Sequence, residues 1–63
     1  PDEYEMEYRL AGLYFLTDDV TKGNLHLING MKLNLKQLTL FQELFPVVWE
    51  RTEVQNTIAK FKK

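Results

Sequence analysis

A chain of 63 residues without a single cysteine must be held by apolar packing alone or by a partner. A domain of this size buries only about 60% of the surface its unfolded chain exposes, and small domains commonly make up the shortfall with disulfides or a metal. Disulfides and Cys-based zinc sites are excluded here, and the lone His26 cannot anchor a typical structural zinc site. Serine is missing as well, so neither Ser nor Cys can serve as a nucleophile beside a His base. No metal and no cofactor is expected. Residues 1–63 read as one small domain, with no internal repeat, linker or low-complexity stretch.

No apolar run approaches the roughly 18 residues that a membrane span needs, and no basic-then-apolar leader opens the sequence. A cytoplasmic address is expected on that ground. The net charge of −1 conceals an asymmetry. Residues 1–20 carry Asp2, Glu3, Glu5, Glu7, Asp18 and Asp19 against Arg9 alone, a net −5. Residues 21–63 carry Lys22, Lys32, Lys36, Arg51, Lys60, Lys62 and Lys63 against Glu43, Glu50 and Glu53, a net +4. An acidic end and a basic end of the molecule are expected.

Between Glu3 and Leu10 apolar and charged residues alternate strictly, the period of two of a half-buried strand. A helix competes for the same residues, because Pro1, Asp2 and Glu3 resemble a helix start and Tyr4, Tyr8, Ala11 and Phe15 share a helical face. The strand is the preferred reading. Gly12 then marks a bulge before the apolar run Leu13 to Leu16, and Thr17 to Asn24 reads as a loop. Asn29-Gly30 between apolar flanks is a strong hairpin signal, which predicts strands at about 25–28 and 31–34, or one long second strand if the pair is only a bulge.

The second half changes period. Asn34 with Gln37 three positions on has the pattern of a capping box, and Leu35, Leu38, Phe41, Leu44 and Phe45 then fall on one helical face. Pro46 ends or kinks that helix. A second helix is expected from about Val48 to Lys62, with Val54, Ile58 and Phe61 inward and Lys60, Lys62 and Lys63 complementing its dipole. The expected fold class is α+β: a small antiparallel sheet of two or three strands followed by two helices. Its core should pack Phe41 and Leu44 on Leu10, Phe15 and Leu27.

His26 reads as an ordinary rim residue, since no pattern supplies the partner a general base needs. Asp18-Asp19 lacks the spacing of an oxygen cage for a hard cation and reads as a solvated turn. Nucleic-acid binding through Tyr4, Tyr8, Tyr14 and the basic C-terminus is disfavoured by a pI of about 5.7 and by the acidity of the tyrosine segment. On a strand, Glu3, Glu5 and Glu7 would instead recur every ~6.8 Å on one face, a carboxylate row able to imitate phosphates.

The pentapeptide Gln37-Leu38-Thr39-Leu40-Phe41 resembles the short Gln-Leu-x-Leu-Phe peptide by which bacterial polymerases and other clients dock on the replication sliding clamp. The resemblance covers five residues and no fold, and Thr39 stands where that family usually has Ser or Asp. It implies Gln37 as the polar anchor and Leu38, Leu40 and Phe41 as apolar anchors of a largely extended peptide. The predicted helix makes a competing demand on the same residues. Five extended residues span about 17 Å and five helical ones rise only about 7.5 Å, so the segment cannot be both at once.

The expected function is that of a small, non-enzymatic regulatory protein that binds a macromolecular partner. The bacterial sliding clamp is the named candidate, as for a small phage-type inhibitor of DNA replication that blocks either the client groove or, as a DNA mimic, the basic channel. The alternatives are a self-associating structural or virion module, dimeric through an apolar patch, and a small nucleic-acid binder.

Overall fold

The computed structural model describes residues 2–63, and among them there is no strand. The fold is all-helical: α1 (Glu3–Leu16), α2 (Val20–Asn34), a 3-10 turn (Leu35–Gln37), α3 (Leu38–Leu44), α4 (Pro46–Trp49) and α5 (Thr52–Lys62). The α+β expectation is therefore overturned, and the error lies in its first half. The strand expected from Glu3 to Leu10 is the start of α1, the bulge at Gly12 is mid-helix, and the hairpin turn at Asn29-Gly30 lies inside α2.

The helical stripe Tyr4, Tyr8, Ala11 and Phe15 decides α1: Tyr8, Ala11 and Phe15 are wholly buried and Tyr4 packs against them. Helix α2 answers with Gly23, Leu27, Gly30 and Met31. The two form an antiparallel hairpin in which the aromatic rings of Phe15 and Tyr8, seven residues apart, lie over Gly23 and Gly30, also seven apart. A Cβ built on Gly30 would stand 2.7 Å from Tyr8 Cε1, and one on Gly23 would stand 2.9 Å from Phe15 Cδ2. Neither glycine has a positive φ, so space for a ring is what these positions require. Tyr8 Oη donates to the carbonyl of Asn34 at 2.8 Å, closing the far end of the hairpin.

The turn between the hairpin's arms is short. Asp18 takes the left-handed conformation at φ 62°. Its N–H donates to the Phe15 carbonyl at 3.0 Å and that of Asp19 to the Tyr14 carbonyl at 2.9 Å, the bonding pattern of a Schellman cap. The Asp19 side chain then accepts from the Lys22 N–H at 3.1 Å and caps α2. Helix thus begins at Val20, inside the segment expected to be loop.

The second half follows the sequence more closely. Helix α3 ends at Leu44, and Pro46 occupies the first turn of α4, where its missing N–H costs nothing. The helix expected from Val48 to Lys62 is broken at Glu50 and Arg51 into α4 and α5. Asn34 makes no capping bond, because it is still the last residue of α2 and a 3-10 turn intervenes before α3. Leu38 and Phe41 from α3, Val48 from α4, and Val54 and Ile58 from α5 complete the core. Phe41 is its centre, with ring centroids 6.2 Å from Tyr8, 5.8 Å from Phe45 and 6.3 Å from Trp49. Of the expected core, Phe41, Phe15 and Leu27 are fully buried, Leu44 is half-buried, and Leu10 points outward.

Thr57 donates to Asn24, and Phe61, one turn further along α5, lines a groove together with Ile28, one turn further along α2, so α2 and α5 run parallel. Arg51, at the start of α5, reaches the C-terminus of α1, where Nη1 donates to the Phe15 carbonyl at 2.7 Å and lies 3.5 Å from Asp18 Oδ1. The acidic first turns of α1 and the Lys-bearing last turns of α2 and α5 consequently share one end of the molecule. The expected separation into an acidic and a basic end does not arise, because the antiparallel hairpin folds the two charge runs together.

Candidate protein-interaction surface

On a helix of 3.6 residues per turn, Met6, Leu10 and Leu13 fall within about 60° of one another, directly opposite the stripe that α1 buries. They are 53%, 36% and 55% exposed, and Leu16, on the flank of the same face, is 53% exposed. Helix α1 is therefore apolar on two opposite faces, one packed and one bare. Polar groups border the bare stripe on both sides. On one flank Arg9 Nε pairs with Glu5 Oε2 at 3.3 Å. On the other, His26 Nδ1 from α2 donates to Glu7 Oε2 at 2.5 Å, and its ring stacks on Tyr14 with centroids 5.4 Å apart. The Lys22 ammonium lies over that same Tyr14 ring, 5.5 Å from its centroid. An apolar centre within a polar rim is the anatomy of a protein–protein contact.

The acidic residues singled out from the sequence do not form a row. The regular strand spacing of Glu3, Glu5 and Glu7 is lost because the segment is helical: Glu3 and Glu7 lie one turn apart, Glu5 points to another face, and Glu5 and Glu7 are held by Arg9 and His26. In the pentapeptide, Gln37 ends the 3-10 turn and is exposed, Leu40 is half-buried, and Leu38 and Phe41 are buried in the core. The segment is helical from Leu38 onward, so its two main apolar anchors face inward and are not displayed as an extended peptide. His26, expected at the rim of a strand, sits instead across the α1–α2 seam with two partners.

A shallow groove of about 380 Å³ lies on the other flank of α2, lined by Asn24, Ile28, Thr57, Lys60 and Phe61. Thr57 Oγ1 donates to Asn24 Oδ1 at 2.8 Å on its wall. No group of three His, Asp or Glu residues is placed to hold a metal among the described residues, and no helix among them is long and apolar enough to cross a membrane. Burial in the core pushes the Tyr8 phenol up from 10 to about 12.

Neither the protein-family models, nor the curated proteins, nor the solved structures contain a match to this chain. The outer stripe of α1 was missed in the sequence because it supplied the apolar half of the apparent strand alternation; counting Met6, Leu10 and Leu13 at helical spacing would have found it.

Proposed function

We propose that this chain is a non-enzymatic protein-interaction module that acts by laying the outer face of α1 on another protein. The observation that carries this reading is the bare stripe Met6–Leu10–Leu13, opposite the core and rimmed by Glu5, Arg9, Glu7 and His26. Large apolar side chains grouped on one face mark contact sites more often than scattered ones do. Leu10→Glu places a charge in the centre of that stripe without touching the core. The test is affinity capture from bacterial lysate with the parent chain and with Leu10→Glu, read by mass spectrometry. A protein, or an added untagged copy of this chain, that the parent retains and the variant loses supports the reading, and the absence of any such loss sinks it.

The pentapeptide supports a second reading in which the partner is the bacterial sliding clamp. With Leu38 and Phe41 in the core, groove docking requires α3 to leave the fold, and of the four anchors only Gln37 and part of Leu40 are accessible beforehand. Calorimetry with purified clamp tests it: binding abolished by Gln37→Ala supports the docking peptide, and no heat with clamps from several bacteria ends it.

A further inference from the structure

We propose that the partner of the α1 stripe is a second copy of this chain, packed antiparallel across a two-fold axis near the middle of α1. The inference rests on the reading of α1 as the contact face and names its occupant. Met6, Leu10 and Leu13 are spaced four and three apart, a single d–a–d step of a heptad seam, which another helix with the same spacing can fill. A two-fold interface uses the same patch on both copies, so this one stripe suffices.

Charge sets the direction. In a parallel pair the acidic turns of both copies, with Asp2, Glu3, Glu5 and Glu7, would lie side by side. In an antiparallel pair the flank that carries Glu7 meets the partner's stretch around Tyr14, and over that ring sits a Lys22 ammonium that pairs with no carboxylate among the described residues. Each Lys22 then faces Glu3 and Glu7 of the other copy. Helix α1 has 14 residues and is about 21 Å long, so the seam is short and belongs with the smaller, weaker interfaces. The dimer should accordingly form at micromolar concentration and above, and loosen with salt.

Sedimentation equilibrium from micromolar to millimolar chain should show the 7.5 kDa species doubling in mass. Leu10→Glu or Leu13→Glu should raise the dissociation constant at least about tenfold, whereas Leu25→Glu, exposed on the outer face of α2, should leave it unchanged. Lys22→Glu should weaken the dimer at low salt and have little effect at high salt. Orientation is read by cysteine cross-linking. A mixture of Met6→Cys and Leu13→Cys chains should form the mixed disulfide in preference to either like pair, and preferential Met6→Cys self-pairing overturns the antiparallel arrangement. Circular dichroism checks that each variant keeps its helices; should a Glu variant lose them, the cysteine pair, at exposed positions, decides the matter. A chain that stays monomeric at millimolar concentration overturns the dimer, while the capture experiment with Leu10→Glu still judges α1 as a contact face for a different protein.

Discussion

The Tyr8 ring lies so close to Gly30 that a Cβ there would come within 2.7 Å of Cε1 and 2.8 Å of Cδ1. Ordinarily Gly→Ala within a helix gains up to about 1 kcal/mol. Here the ring cannot retreat, because it is wholly buried and its hydroxyl is tied to the Asn34 carbonyl. Overpacking costs about 1–3 kcal/mol and outweighs the helix gain. Gly30→Ala should therefore lower stability by up to about 2 kcal/mol, seen as a lower urea midpoint at unchanged slope.

The same residue makes the fold sensitive to alkali. Burial raises the Tyr8 phenol from 10 to about 12, so the folded state favours the protonated form, which also donates to Asn34. A group whose folded pKa is raised contributes stability that is complete below its unfolded value and is lost as pH rises through the folded one. Melting temperature should thus fall between pH 10 and 12. Tyr8→Phe should flatten that decline and cost about 1 kcal/mol at neutral pH through the lost hydrogen bond. Thermal melts followed by circular dichroism across that range check both.

Helix α1 explains why the first half reads as a sheet from the sequence, whereas the second half reads as helix with only its caps and boundaries displaced. Even-numbered positions from Tyr4 to Leu10 are apolar in both a strand and this helix, because Tyr4 and Tyr8 belong to the buried stripe while Met6 and Leu10 belong to the bare one. Two stripes on opposite faces interleave into strand-like alternation. The glycines misled for a related reason: Gly12, Gly23 and Gly30 have the composition of turns and bulges, but what they supply is room for the rings of Phe45, Phe15 and Tyr8, which only tertiary packing reveals. Around Phe41, by contrast, a single apolar stripe and Pro46 agree on helix, and Phe41, Val54 and Ile58 lie inside as the period demands.

Asp18 holds a left-handed conformation at φ 62° that glycine adopts without steric cost, and it does so to complete the cap on α1. Its carboxylate is 87% exposed, so its ion pair with Arg51 adds little. Asp18→Gly should raise stability by about 0.5–1 kcal/mol, the relieved strain exceeding the extra entropy of an unfolded glycine. Arg51→Ala should act the other way, since it removes the donor to the Phe15 carbonyl and the tie between α1 and α5. Urea titrations of the two variants beside the parent test the opposite signs.

Gln37 and Phe41 separate the fold from the docking peptide that their spacing resembles. Phe41 is wholly buried among Tyr8, Phe45 and Trp49, and truncation of such a ring costs about 3–5 kcal/mol, a large share of what a small domain has. Phe41→Ala should therefore leave the chain largely unfolded at room temperature by circular dichroism. Gln37 is exposed and makes no side-chain cap, so Gln37→Ala should change stability by no more than about 0.5 kcal/mol. If Phe41→Ala melts like the parent, the ring is not the centre of the core, α3 is free to leave, and docking of an extended Gln37–Phe41 segment on a clamp gains ground. If Phe41→Ala unfolds the chain and Gln37→Ala changes neither melting nor clamp binding, the pentapeptide is core and helix alone.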